Sequence, residues 1–520
     1  MKSIGVIQGQ SLRGTLGGDA PLADVLSTRA RLRFGPGPFT GDLHDTLVKR
    51  DIARGAPAGA IERARAVSEG RGLVVLAGQQ PALWGGPLYS LYKLIAAIDI
   101  AAWLEARAGV PVLPVFWIVG DDSDFGEVSS IWLPTSQGRI VKVRDEEVPP
   151  SGTCIGTLPA SRQRTLLQAH AETWREHPRG AEIWATFSAA LEEVDTWAAA
   201  QAAIFHRLLP EDPFLVVDGG DPALLDVAQD FLRGPNARTV AMLLEEGAVE
   251  ARAAGIEPAF EADLATRMLF RIDGDQRKAV DGAPGASELL APNVLLRPCL
   301  QDWVFPNLAT ICGPSEIRYR MQLGPLYRAL AVSEPVRLPR LHALLVPPIA
   351  PEPDAALDGY GPLLEDPAAW IDRRVAESMP TSLIADLGNL RDHLRTEAAR
   401  LGGQARGLDP SLDQLFESAA GKADYQLDRM LEGVRGKVRH RLLQSRPLWS
   451  GLVDFLRPRD REQERVLSLG TPFLSDAGTG EGLRREAARS RDALLSGDDP
   501  RAAQAVLLLD AWHLPEEDRS

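Results

Sequence analysis

The chain has 520 residues, 45% of them hydrophobic and 25% charged, proportions of a globular protein with room for roughly two to four domains, each with its own core. Its 57 basic and 71 acidic side chains leave a net charge of -14, which repels phosphate and argues against nucleic acid as a partner. Three widely spaced cysteines, Cys154, Cys299 and Cys312, support neither a disulfide framework nor a structural zinc site and suit a cytoplasmic protein.

In chain order, residues 1–14 lack the apolar stretch of a secretion signal, and the most apolar helical run, 94–104, is interrupted by Asp99, so neither secretion nor a membrane span is expected. The first strong element follows Gly72, where LVVLAG reads as a buried strand. A turn-rich GQQPALWGGP, a helical pattern over 88–107 and a second apolar run over 110–120 complete a strand, helix and strand. The same alternation returns with FLVVD at 214–218 and a helix over 222–232, then with a strand over 307–312 and a helix from about Ser315 to Leu330. Buried strands alternating with helices predict a parallel α/β sheet whose ligand crevice lies at the carboxyl ends of the strands.

Residues near 145–205 and 237–292 are rich in Ala, Glu and Arg and read as helical insertions covering that crevice. The Pro-rich stretch 345–353 marks a boundary, so residues 1–355 are taken as the core domain. Over 356–450, Leu383, Leu387, Leu390, Leu394, Ala398 and Leu401 form one apolar series and Leu427, Met430, Val434, Val438 and Leu442 a second. With a Gly-rich linker at 402–410, they suggest an antiparallel coiled-coil hairpin; two amphipathic helices packed on the core are the competing reading. The tail 451–520 is expected to pack on the core, with 505–509 forming a short strand or a helical turn.

Four loops could carry chemistry. In the first, Gly78, Gln79, Gln80, Gly86, Pro87 and Tyr89 run from a strand end into a helix, and Lys93 follows in that helix; backbone donors there could seat a phosphate or carboxylate, or the loop is a structural turn. The second, Gly120-Asp121-Asp122-Ser123-Asp124-Phe125-Gly126-Glu127, places four acids within seven residues, which could bind a substrate amine, hold magnesium or act as a general base, or Asp122 or Ser123 simply caps a helix. The third contains Arg297, Gln301 and Asp302, and the fourth Gly313, Pro314, Glu316 and Tyr319, where Gly-Pro repeats the helix start of the first loop. Cys312 reads as a small buried residue before it reads as a nucleophile, and the eight histidines show no metal-ligand spacing.

The segments AGQQPALWGGPLYSLYK, PVFWIVGDDSDFGEV, FLVVDGGDPAL, LLRPCLQDWVFPNLATICGPSEIRYRMQL and LRPRDREQERVLS, in this order, resemble the BshC family, the cysteine ligases of bacillithiol biosynthesis. The resemblance implies a Rossmann-like parallel-sheet core with helical insertions, a coiled-coil arm that makes a homodimer, and a nucleotide pocket near that arm. It implies an amide ligase that adds L-cysteine to glucosaminyl-malate, with ATP expected and no metal. Carried over residue by residue, Asp122, Asp124 and Lys93 are the candidate catalytic residues. Gly78, Gln79, Gln80, Gly86, Pro87, Tyr89, Gly120, Arg297, Gln301, Asp302, Gly313, Pro314, Glu316 and Tyr319 are the candidate substrate contacts, with the malate carboxylates expected at the Gly86 and Gly313 helix starts beside Lys93 and Arg297. This chain carries Tyr92 and Ser123 where the family usually has His, and Cys312 and Ser315 where it has Gly. A related ATP-dependent ligase or nucleotidyltransferase on another amino acid or amino sugar, or a non-catalytic dimeric binding protein, are the alternatives.

Overall fold

A computed structural model describes residues 22–30, 35, 37–136, 138–280, 284–346, 363, 366–475, 478–496 and 504–508. They fall into two compact units, one bounded by 1–136, 140–348 and 460–520, the other by 137–139 and 349–459. Most of the Pro-rich boundary expected at 345–353 lies outside the described residues.

The first unit is built on five parallel strands: β1 (Leu73–Gln79), β2 (Val112–Ile118), β5 (Leu215–Asp218), β9 (Asn307–Cys312) and β10 (Val336–Pro339). They lie in the order β10-β9-β1-β2-β5. Continuous apolar runs make β1, β2 and β9 buried along nearly their whole length, as strands covered on both faces must be. The register pairs Leu73 with Val112 through Gln79 with Ile118, so β1 and β2 end side by side. Helix Leu88–Ala108 makes the crossover between them and stops at Gly109, whose left-handed φ of 66° caps it. The chain adds β2 and β5 on one side of β1 and β9 and β10 on the other. The strand order therefore reverses at β1, and the crevice of a doubly wound sheet opens between the ends of β1 and β9.

The first insertion contributes the antiparallel pair β3 (Ser130–Pro134) and β4 (Ile140–Arg144), then helices within 160–208. The expectation of a helical insertion over 237–292 is corrected. Only Ala237–Ala253 is an extended α-helix; the rest carries a three-stranded antiparallel sheet of β6 (Leu269–Asp273), β7 (Gln276–Ala279) and β8 (Leu289–Pro292). Strands β6 and β7 have half-exposed faces bearing Arg271, Asp273 and Lys278, so they lack the apolar run that marks a central strand, and β8 is apolar but only four residues long. Helices Leu22–Ala30, Gly41–Ile52 and Ala58–Ser68 precede β1, where sequence patterning assigned no element.

In the chain's last part, Trp132 N donates to Val466 O and Ser468 N donates to Trp132 O, tying 466–468 beside β3. Helix Thr479–Ser496 is held to helix Leu88–Ala108 by Arg491 on Asp99 at 2.7 Å. The segment 504–508 is β12, a strand parallel to β11 (His342–Val346). In the second unit, helices Thr381–Ala405 and Leu412–Ser445 form an antiparallel hairpin, with Arg391 facing Asp428 and Arg395 on Asp424 at 2.7 Å. Gly402 and Gly403, expected in the linker, lie inside the first helix.

Candidate functional site

Between the ends of β1 and β9 lies a buried ammonium group. Lys93, one turn into the crossover helix, has a side chain only 3% exposed, and its Nζ donates to Gly78 O at 2.8 Å and Gln79 Oε1 at 2.9 Å while lying 2.7 Å from Glu316 Oε2. Glu316 also accepts from Gly313 N at 2.6 Å. Burial alone would raise the Glu316 carboxyl, but Lys93 and these hydrogen bonds hold it below the usual carboxylate range. The three donors of Lys93 thus face three acceptors at the ends of β1 and β9. Gln79 Nε2 donates to Tyr89 Oη at 3.1 Å and to Gln80 Oε1 at 3.2 Å, which extends the polar wall toward β2.

The acidic loop after β2 divides its four carboxylates among different tasks. Asp124 is exposed and caps the short helix Phe125–Val128, accepting from Glu127 N at 3.3 Å, so the cap is Asp124 where the sequence suggested Asp122 or Ser123. Asp121 is buried. Asp122, with 19% of its side chain exposed, accepts from Ser123 N at 2.7 Å and from Gln80 Nε2 at 3.3 Å. Glu127 also accepts from Gln80, at 3.1 Å. Burial pushes the Asp122 carboxyl upward, yet Arg297, Arg277 and the backbone donors outweigh it and hold the group low. A carboxylate so held is anionic across the neutral range, better suited to gripping an ammonium than to removing a proton.

Beneath this loop, Gly120 lies so close to Asp218 that a Cβ would stand 2.1 Å from Asp218 Oδ1. Asp218 accepts from Gly220 N at 2.9 Å, and burial raises its pKa to about 6.

Several expected contacts have other duties. The Gly86 helix start is closed by the chain's own backbone: Leu88 N donates to Leu467 O at 2.9 Å and Leu469 N to Gly86 O at 3.1 Å. Pro87 bridges to Ser468, and Trp84, fully buried, donates from its backbone N to Gln163 Oε1 at 2.8 Å. The Gly313-Pro314 start has its own anion, Glu316. At the first start Leu88 N is thus taken by Leu467 O, and at the second Gly313 N is taken by the Glu316 carboxylate. Gln301 accepts from Arg320 Nη2 at 2.8 Å, and Asp302, its pKa pushed to about 6 by burial, lies among Arg320, Asn307 and Tyr327 near the amino end of β9. These two residues hold the core together, away from the crevice. Tyr319 packs against Phe260, with ring centres 5.2 Å apart. Cys312 is buried, and burial pushes its thiol up to about 12, which disqualifies it as a nucleophile near neutral pH.

Four residues beside the crevice, Glu464, Arg340, His342 and Arg277, were not among the candidate site residues. Glu464, 1% exposed, binds Arg340, while His342 Nδ1 lies 2.8 Å from its Oε2. The Arg340 guanidinium stands 5.9 Å from the centre of the Tyr89 ring, so the late segment reaches the switch point through these side chains. Arg277, on β7, faces Asp121 and Asp122. Glu464 sits within LRPRDREQERVLS, which the family resemblance had marked; Arg277 had no local signal. Among the described residues, no group of three or more His, Cys, Asp or Glu is placed to hold a metal.

A Rossmann-like strand order with a polar crevice at its reversal, walled by two insertions, defines a Rossmann-type α/β protein. The N-terminal Rossmann-like domain of the bacillithiol biosynthesis BshC family matches residues 42–287 and 283–341, and the chain belongs to that family. Proteins named "Putative cysteine ligase BshC" are similar to it. The one from Geobacillus thermodenitrificans is 28% identical over 351 residues, 62% of this chain and 63% of that protein, so the match spans less than two thirds of that relative. Those from Solibacter usitatus, 26% identical, and Symbiobacterium thermophilum, 28% identical, match 78% of this chain and 80% of their own length. Among solved structures, arginyl-tRNA synthetase of Thermus thermophilus aligns over 92% of this chain and 85% of its own at 14% identity and a TM-score of 0.22, too low to bear on fold or function.

Proposed function

We propose that the protein is a ligase that joins the carboxyl group of L-cysteine to the amine of glucosaminyl-malate, forming bacillithiol in the cytoplasm. Membership of the BshC family and the names of the relatives support the reaction class, and the observation that carries the site assignment is Asp122, a partly exposed carboxylate kept anionic at the carboxyl end of β2. Amide formation removes one oxygen from the carboxyl group, so that oxygen must leave on a better leaving group, the part taken by ATP as co-substrate. The attacking amine must be uncharged and gives up a proton as the C–N bond forms. Asp122 holds an ammonium group of a substrate beside this reaction, Gln80 fixes the Asp122 carboxylate, and Lys93 with Glu316 keeps the ends of β1 and β9 in place.

For the nucleotide, the second unit offers a cavity of about 310 Å³ lined by Trp370, Arg374, Leu442, Arg446 and Trp449 among others. The Trp370 and Trp449 rings meet edge to face at 4.9 Å, and Arg446 lies 4.7 Å from the Trp449 ring centre. Aromatic faces beside guanidinium groups suit a base and its phosphates. Exposed apolar side chains on the hairpin, Leu390, Leu415 and Met430, suit a second copy of the chain, and light scattering across a dilution series reads that dimer.

The test incubates the protein with glucosaminyl-malate, cysteine and ATP, omitting each in turn, and traps new thiols for mass spectrometry. A product of bacillithiol mass that needs all three supports the reading, with Asp122→Asn lowering kcat/KM by about tenfold or more. No product with all three present overturns it. A product only when cysteine is replaced by another amino acid indicates the related ligase reading, which the Tyr92 and Ser123 positions leave room for.

A further inference from the structure

Arg277 and Arg297 reach the acidic loop from different elements, the first from β7 of the inserted antiparallel sheet and the second from helix Leu296–Val304. An Nη2 atom of each lies 3.9 Å from Asp121 Oδ2, and Arg277 Nη1 lies 3.6 Å from Asp122 Oδ1. These distances bring opposite charges together but exceed hydrogen-bond reach. The side chains are nonetheless secluded: Arg277 is 7% exposed, Arg297 14% and Asp121 3%. Arg277 is braced from behind, with its guanidinium 3.7 Å from the centre of the Phe270 ring and Nη2 donating to Pro292 O at 3.3 Å. Arg277 Nε, Arg297 Nε and Asp121 Oδ2 are buried without a hydrogen-bond partner among the described residues.

Buried ion pairs elsewhere in this protein are served by hydrogen bonds on both partners: Arg162 bonds Asp145 directly at 2.8 Å, and Arg320 and Asp302, 3.6 Å apart, bond Gln301 and Asn307 respectively. Here two guanidinium forks and two carboxylates are held adjacent with those bonds unmade. The four groups sum to zero charge. A simple anion would leave the cluster negative and a simple amine would leave it positive, whereas a ligand carrying both charges on neighbouring atoms satisfies both sides.

We propose that Arg277 and Arg297 clamp the carboxylate of a free α-amino acid whose ammonium group rests on Asp122. This deepens the ligase reading by making Asp122 the holder of the amino-acid donor, cysteine in that reading, in place of the attacking amine. It also gives the inserted sheet a part in substrate choice, because Arg277 is its contribution to the site.

Calorimetry on the full chain separates the charges with three probes: L-cysteine, cysteamine, which lacks the carboxylate, and 3-mercaptopropionate, which lacks the amine. L-cysteine is expected to bind at least about tenfold more tightly than either fragment. Arg277→Gln is expected to remove that advantage over cysteamine while leaving cysteamine binding unchanged, and Arg277→Lys to restore part of it. Equal binding of cysteine and cysteamine by the wild type, or an Arg277→Gln protein with unaltered thermal unfolding and unaltered cysteine affinity, overturns the clamp. Binding is read without turnover, so the two readings fail separately. Arg277-dependent cysteine binding without ligation leaves the clamp standing and removes the reaction; ligation with an unchanged KM for cysteine in Arg277→Gln does the reverse.

Discussion

Lys93 Nζ stands 2.7 Å from Glu316 Oε2, joining the helix that leaves β1 to the helix that leaves β9 across the point where the strand order reverses. The pair fixes the width of the crevice floor, since the same ammonium also holds Gly78 O and Gln79 Oε1.

Lys93→Met leaves the Glu316 carboxylate facing a buried gap and is expected to cost about 3 kcal/mol in urea unfolding, with Lys93→Met/Glu316→Gln recovering part of the loss because no unpaired charge remains. Full additivity of the two single changes would show that the pair is not coupled.

Glu464 provides the pH signature of the late segment. Burial raises its carboxyl, but Arg340, His342 and Arg465 together hold it below the model-peptide value of 4.5. The depressed folded pKa contributes stability that is fully present above that value and lost as pH falls through the folded pKa. Glu464→Gln should therefore lower Tm most at about pH 7, and its deficit against the wild type should narrow by about pH 3.5. A deficit independent of pH would remove Glu464 ionisation from the account.

Gly86 has φ 91° and ψ -167°, a conformation open essentially to glycine alone, and a Cβ there would meet Ala82 Cβ and Ser90 Oγ, each at 3.2 Å. Gly86→Ala is expected to cost about 1–3 kcal/mol in chemical denaturation. Gly126→Ala, where the Cβ meets only Asp124 Oδ1 at 3.5 Å, should stay within about 0.5 kcal/mol of wild type.

The central sheet was readable because β1, β2 and β9 are apolar without interruption, a pattern imposed by burial on both faces. The strands of the inserted sheet were not, since β7 is Gln-Arg-Lys-Ala, its partner β6 carries Arg271 and Asp273, and β8 is apolar but only four residues long. The loops after β1, β2 and β9 were correctly expected at strand ends, whereas Arg297, Gln301 and Asp302 lie within a helix, and local sequence does not reveal that Gly86 is covered by Leu469 or that Gly313 is served by Glu316. Lys93 and Asp302 illustrate the limit best. Each is a charged residue in a promising motif, and each is consumed by a buried partner that only the folded chain brings near.

Leu88 at the start of the crossover helix is bonded to Leu467, and Arg340 to Glu464, so the crevice is assembled from the two extremes of the unit with the whole helical hairpin synthesised in between. On the ribosome, the sheet emerges long before the segment that closes over the Gly86 turn and neutralises Arg340. Until then the nascent protein carries an open helix start and an uncompensated guanidinium. A chain cut short after the hairpin would keep the Gly86 turn uncovered and Arg340 without its carboxylate.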